Sequence, residues 1–393
     1  MSAEERRLFE AIARNPKDDA PRLVYSDWLK RNGQPEWAEF IRVQCELAWS
    51  ENDLPAMKLH RLRNRENELR TAHQDEWLGN LIDFADQCRW TFRRGWVAEL
   101  QVTLTPELAE VITTAPELRL LENLEINRID PPQEARRVFA QLGKTGTVLS
   151  NLRRLLIGVP EETSHRPLPY QELQGLGLPK FLRRVHQLEE LWLLDYEFEW
   201  ETIFELKSFW KLRQLHIVAP YRNELPVKSL AENPALYNLE ELHIACKDAA
   251  VLGAFGYVSA DDFRALVHSF QLRNLRDLTL HHANIGINGC EELVRSHLLN
   301  QLEYLNLCTC CWIDDDCLQV LASSPATKRL KELSISRSDG CSGDPEAPHY
   351  TSKGVQFLRR KGVPVYASSM PLTETCEEQP GRTEDWFSLG EGR

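Results

Sequence analysis

No uncharged apolar run in these 393 residues approaches the roughly 20 needed to cross a bilayer, so a membrane-spanning helix is excluded from the reading. Positive charge is in deficit: 47 Lys plus Arg stand against 59 Asp plus Glu, a formal net charge of -12. That balance argues against a dedicated nucleic-acid binder, because phosphate recognition draws on clustered cations. Catalytic fingerprints are missing too, with no Gly-x-Ser-x-Gly, no His-Glu-x-x-His and no glycine-rich dinucleotide loop. The Gly-Lys-Thr within Leu142 to Gly146 lacks the first glycine of a phosphate loop, whose place is taken by Val138. The chain therefore reads as a non-enzyme, with no catalytic residue, cofactor or metal site expected.

Charges at Glu4, Glu5, Arg6, Arg7 and Glu10 leave no signal-peptide core at the N-terminus. The 10 cysteines are spaced irregularly from Cys45 to Cys376, unlike the framework of a small secreted domain. Reduced, buried thiols and a cytoplasmic location are expected. Apolar residues at 42% and charged residues at 27% fit a folded soluble chain. A single core stops growing at roughly 250 to 300 residues, so the length implies two domains or a repeat array.

Residues 1–90 carry helical punctuation. Ser2 with Glu5 fits a capping box, and Leu8, Phe9, Ile12 and Ala13 recur at helical spacing before Asn15 and Pro16. Asp19 is placed to cap a second helix that Gly33 ends, Pro35 opens a third, and a charged stretch around Arg61 to Arg70 predicts a fourth. Within this region the run Pro21 to Leu47 closely resembles the bacterial repeat-companion domain, through Tyr25, Asp27, Trp28, Leu29, Gly33, Glu39, Phe40 and Gln44 in one register. Glu76 to Gly79 and Phe92 to Leu100 resemble that family's continuation. The resemblance implies a domain that accompanies leucine-rich or other repeats, with no molecular role attached. Arg22, Asp27, Glu39 and Arg42 are read as surface ion pairs and caps.

From 91 to 367 one pattern governs, Leu-x-x-Leu-x-Leu, the strand segment of a leucine-rich repeat. Copies begin at Leu121, Leu152, Leu188, Leu212, Leu239, Leu275, Leu302 and Leu330, with a degenerate first copy at Val97. Starts lie 24, 31, 36, 24, 27, 36, 27 and 28 residues apart, so several copies carry insertions. The copies at Leu275 and Leu302 continue into helices and resemble the ribonuclease-inhibitor-like type. The expected fold is an α/β solenoid: a leucine-rich-repeat horseshoe with a parallel concave sheet and convex helices, preceded by a small all-α N-terminal bundle. That bundle is a natural cap for the first repeat, and Gly354 to Leu358 with Val363 to Ala367 close the other end. Residues 336–350 read as a loop insertion and 368–393 as an acidic flexible tail.

With the leucines inward, period-two geometry sends the residues between them onto the concave surface. Leu156, Trp192, Leu194 and Val218 then fall outside the core, an apolar patch with Trp192 as its anchor. Glu190, Glu241 and Asp277 flank it, with His216, His243 and Tyr304 beside them. The expected activity is non-catalytic protein binding on this face, to a basic or amphipathic partner. An adaptor whose helical module docks a second protein is the alternative. A competing reading has the insert 160–179 fold over the patch. His216 and His243 with Glu241 or His281 would suit a metal, though paired surface imidazoles are commoner. Cys310 sits where this repeat type accepts Asn or Cys, and Asp314, Asp315 and Asp316 are better read as helix-start carboxylates than as a cation site.

Overall fold

A computed structural model describes residues 2–50, 54–146, 148–158, 177–194, 196, 198–219, 225–246, 258–336 and 349–368. Most of the insert 160–179, most of the loop 336–350 and nearly all of the acidic tail lie outside the described residues. The chain divides into two compact units, residues 1–156 with 176–188, and residues 157–175 with 189–393.

The first unit opens with α1 (Ala3–Arg14), α2 (Ala20–Arg31), α3 (Pro35–Ser50) and α4 (Ala56–Leu78). Ser2 and Glu5 form the capping box, each backbone N–H donating to the other's side chain at 3.0 and 3.1 Å. Phe9, Ile12, Tyr25, Leu29 and Ile41 converge in one core, joined there by Trp96. Trp96 belongs to a hairpin, β1 (Cys88–Arg93) and β2 (Trp96–Leu104), which pairs antiparallel and packs on the helices. Phe92 of β1 meets Phe40 edge-on at 5.6 Å, and Phe40 stacks on Trp77 at 4.5 Å. The expected boundary at 90/91 thus falls inside β1.

Gly95 makes the hairpin turn at φ +94°, and a Cβ there would run into Ile41. Its N–H donates to Gln44 Oε1 at 2.6 Å, while Trp37 Nε1 donates to its carbonyl at 2.9 Å. Two sequence expectations are corrected beside this turn. Asp19 occupies the N-cap position of α2 but makes no side-chain cap, because its fully buried carboxylate is drawn 2.8 Å from Arg94 Nε instead. Arg22 is no surface group either: it is 3% exposed, and its Nη1 donates to the carbonyl of Pro16 at 2.6 Å. Asp27 with Arg42 and Glu39 with Arg65 are the exposed pairs.

After the hairpin come α5 (Pro106–Thr114), β3 (Asn123–Ile129), α6 (Ala135–Leu142), β4 (Arg154–Ile157) and α7 (Leu178–Leu182). β2 pairs in parallel with β3, Leu100 opposite Leu124, so the degenerate copy at Val97 is a true first repeat.

The second unit runs β5 (Glu190–Leu194), α8 (Trp200–Phe204), β6 (Gln214–Ala219), α9 (Val227–Ala231), β7 (Glu241–Cys246), α10 (Ala260–Val267) and β8 (Asp277–Leu280). It continues α11 (Gly286–Arg295), α12 (His297–Gln301), β9 (Tyr304–Leu307), α13 (Asp315–Ser323), β10 (Glu332–Ser336), α14 (Ser352–Arg360) and β11 (Val365–Ser368). All seven strands are parallel neighbours in chain order, and β11 closes the series as the apolar run 363–367 implied. One register holds throughout: Leu191, Leu215, Leu242, Leu278, Leu305 and Leu333 lie opposite one another, none more than 1% exposed. The architecture is an α/β solenoid of the leucine-rich-repeat type.

Side chains just before each leading leucine tie repeat to repeat. Asn238 Nδ2 donates to the Trp210 carbonyl at 2.8 Å and Asn274 Nδ2 to that of Tyr237 at 2.7 Å, satisfying turn carbonyls that no strand partner reaches. One place after the leucine the residues read Glu189, Arg213, Glu240, Arg276, Glu303 and Lys331, charges alternating in sign down the stack. Each N–H from Arg213 onward donates to the carbonyl of the previous member at 2.7 to 2.8 Å. Arg213 reaches Glu240 at 2.7 Å and Lys331 reaches Glu303 at 2.6 Å, which lowers the Glu303 pKa and raises that of Lys331.

The acidic triplet has structural work. Asp314 Oδ1 accepts from the Cys317 N–H and caps α13, while Asp315 accepts from both the N–H and hydroxyl of Thr351 at the start of α14. Cys310 Sγ donates to the Leu280 carbonyl at 3.1 Å, as expected of a buried repeat thiol.

Candidate functional site

Strand register places the candidate residues of the second unit in rows. Glu190, Gln214, Glu241, Asp277, Tyr304 and Glu332 lie opposite one another in turn, as do Trp192, His216, His243, Thr279, Asn306 and Ser334. Leu194 and Val218 begin a third row that Ala245 continues. Neighbouring strands stand about 4.8 Å apart, close to the distance at which flat rings cover one another's faces.

The central row uses that spacing. Trp192 and His216 stack with centroids 3.9 Å apart and planes at 7°. His216 and His243 follow at 5.6 Å and 17°. His281, just past the end of β8 in the third row, leans across to continue the ladder at 5.5 Å from His243, and His282 stands edge-on beyond it. Glu241 Oε1 lies 3.3 Å from His216 Nε2, giving the ladder one carboxylate at its flank. Burial first, and the neighbouring His216 second, push the His243 imidazole down to about 3. His281 is pushed well below the ordinary imidazole range by burial, His243 and His282 in that order. Both rings are neutral at pH 7, so His243 and His281 carry apolar faces and uncharged ring nitrogens.

Exposure differs from the sequence reading. Trp192 is 9% exposed, Leu194 4% and His216 2%, whereas Val218 is half-buried. For Trp192 and His216 the reason is mutual: each ring covers a face of its neighbour. Leu156 lies in the first unit and is 2% exposed, in a strand where Leu155 and Ile157 are also fully buried. These side chains do not form a wet apolar patch. Glu190, Glu241, Asp277 and Tyr304 remain half-exposed along the neighbouring row.

Beyond the rings the face becomes polar. Asn306 Oδ1 accepts from the Cys308 N–H at 2.9 Å, and Ser334 Oγ donates to Glu332 at 2.6 Å. Thr309 adopts φ +58° and His282 φ +57° at equivalent places after β9 and β8, a left-handed turn that a β-branched residue adopts only under tertiary constraint. The Thr309 N–H donates to Ser336 Oγ at 2.9 Å there. In the first unit the corresponding rows are hydrophilic throughout β2 and β3: Gln101 donates to Glu125 at 3.2 Å, Asn123 donates to Glu99 at 3.1 Å, and Arg93 pairs with Glu99 at 2.7 Å.

Among the described residues no three His, Cys, Asp or Glu side chains are grouped to hold a metal ion, and no helix is long and apolar enough to cross a membrane. Sequence reasoning placed His216 and His243 together in one row and named His281, from the third row, beside them only as a further metal ligand. The signal for its joining them, a His-His pair directly after a strand, was present.

No family model matches the chain, and no curated protein matches it. Solved structures do. A Bacteroides fragilis protein is 16% identical, spans 66% of this chain and 69% of its own, and superposes with a TM-score of 0.49. An internalin from Listeria monocytogenes is 14% identical over 76% of this chain and 95% of its own, with a TM-score of 0.31. The leucine-rich-repeat assignment itself rests on the parallel strands and their common register.

Proposed function

We propose that the protein is a non-catalytic interaction scaffold that binds a protein partner on the concave face of its leucine-rich repeats. The observation that supports this most is the ladder of Trp192, His216, His243 and His281 alongside the half-exposed row of Glu190, Glu241 and Asp277. Three stacked rings and a tilted fourth make the face stiff, so that it loses little entropy on binding, and the carboxylates beside it select a basic or amphipathic segment. Affinity capture from native cells tests the reading. Full-length protein should retain a partner that the Glu190→Lys, Asp277→Lys variant loses while melting at the same temperature. Identical captured sets from the two proteins would sink it.

A second reading, an adaptor, draws on the N-terminal module. At the α3–α4 end, Trp49 is 70% exposed and Met57 84%, with Lys58 clasping Glu46 at 2.6 Å beside them. Two large apolar side chains held in water on neighbouring helices suit the docking of a second protein. In this reading the module is a repeat-companion domain, and the free, buried Cys45, Cys88, Cys290 and Cys317 fit a cytoplasmic setting. Pull-downs with Trp49→Ser, Met57→Ser should lose one partner and keep the other.

A further inference from the structure

The turns that lead into the strands of the second unit form an edge of their own. Two positions precede each leading leucine, and from β6 to β10 they are filled by Trp210 and Lys211, Tyr237 and Asn238, Arg273 and Asn274, Asn300 and Gln301, then Lys328 and Arg329. Cations, aromatics and amides occur there and not one carboxylate, in a chain whose net charge is -12. The segregation is local, since the next row inward, from Arg213 to Lys331, alternates in sign and neutralises itself through Arg213 with Glu240 and Lys331 with Glu303.

Amides in these turns are already used. Asn238 and Asn274 bond the carbonyls of Trp210 and Tyr237, and Gln301 bonds those of Leu272 and Leu275. Apart from the exposed Asn300, whose Oδ1 accepts from Arg329 at 2.7 Å, what stays at the surface is aromatic and cationic. Trp210 is 41% exposed with Lys211 Nζ 4.8 Å over its ring, and the Arg273 guanidinium lies 6.0 Å from the ring of Tyr237. Arg273 and Lys328 are exposed, and no carboxylate is paired with either among the described residues.

We propose that this edge, from Trp210 to Arg329, is a docking surface for an acidic, extended peptide segment of a partner protein. The length agrees with the chemistry. Four strand spacings of about 4.8 Å put Lys328 roughly 19 Å from Trp210, the reach of about six extended residues. Carboxylates on such a segment pair with Arg273, Lys328 and Arg329, and an apolar side chain rests on Trp210. A nucleic-acid strand fits less well, because the turns of Tyr237 with Asn238 and of Asn300 with Gln301 interrupt the cations, whereas an unbroken line of phosphates draws on clustered positive charge.

Fluorescence anisotropy on the full chain tests this with three labelled probes: a short glutamate-rich peptide carrying a central leucine, its lysine-rich counterpart, and single-stranded poly-dT. The glutamate-rich peptide is expected to bind saturably, more weakly as salt rises, and the other two not. Arg273→Glu with Lys328→Glu should weaken it about tenfold, and Trp210→Ala severalfold, with unchanged melting. Glu190→Lys with Asp277→Lys, the change that should cost the concave face its partner, should not weaken it, so this surface and the proposed concave site fail or stand separately. Absence of saturable peptide binding, equal binding by the charge-reversed variant, or preference for poly-dT would each overturn the proposal.

Discussion

The indole of Trp192 lies flat on the imidazole of His216, 3.9 Å between centroids, on adjacent parallel strands of the second unit. The contact joins two residues 24 positions apart through the repeat register alone. It makes Trp192 at once a stabilising side chain and the centre of the proposed binding face.

Truncating that ring should therefore cost stability. Trp192→Ala is expected to destabilise by about 3 kcal/mol, as for a buried large aromatic, whereas Trp192→Phe keeps most of the stacking and costs about 1 kcal/mol. Urea unfolding of the two variants measures the difference. Near-equal midpoints for Ala and wild type would mean that the indole is wet in solution.

Acid should loosen the same face. His243 titrates near 3 in the folded chain and near 6.5 when unfolded, so the unfolded state takes up the proton first. The stability this neutral ring contributes is complete above pH 6.5 and drains away as pH falls toward 3. At pH 5 the loss from His243 alone is about 2 kcal/mol, and His281 adds in the same direction. Denaturation midpoints measured between pH 7 and pH 5 should fall steeply for wild type and less steeply for His243→Phe. Parallel slopes would contradict the burial of the imidazole.

In the first unit the buried and the exposed ion pair should differ in what they cost to break. Asp19→Ala strands the Arg94 and Arg22 guanidiniums near a buried site without their carboxylate, an expected loss of about 3 kcal/mol or more. Asp27→Ala removes an exposed partner of Arg42 and should cost under about 1 kcal/mol. A double-mutant cycle between Asp19 and Arg94 reads their coupling directly.

Gly95→Ala tests the hairpin turn. Its positive φ disfavours any side chain, and the added methyl meets Ile41, so the loss should exceed the roughly 1 kcal/mol of the backbone term. In a double-mutant cycle read by thermal melting, Ile41→Ala, which removes the Cγ1 that the new methyl meets, should recover part of it. No recovery would place the strain in the backbone alone.

Much of the solenoid was legible because leucine periodicity is a local signal. Every leading leucine from 121 to 330 marks the approach to a strand, and the weaker Val97 copy does too. The β1–β2 hairpin was less legible, since Phe92 and Trp96 read equally well as apolar residues of any element until Phe40, Trp77 and Tyr25 surround them. Asp19 shows the same limit: an N-cap position is a sequence pattern, but whether the carboxylate caps its helix or meets Arg94, 75 residues on, is settled by where the hairpin turn lands.

By itself the sequence determined which side chains point to the leucine core and which to the opposite face, because alternation along a strand is a covalent consequence of the backbone. Tertiary structure alone decided what the second face is. Stacking brought Trp192, His216 and His243 within ring contact and drew in His281 from a neighbouring row. Side-chain size, strand spacing and mutual shielding from water set that outcome, and none of them is written in a single repeat.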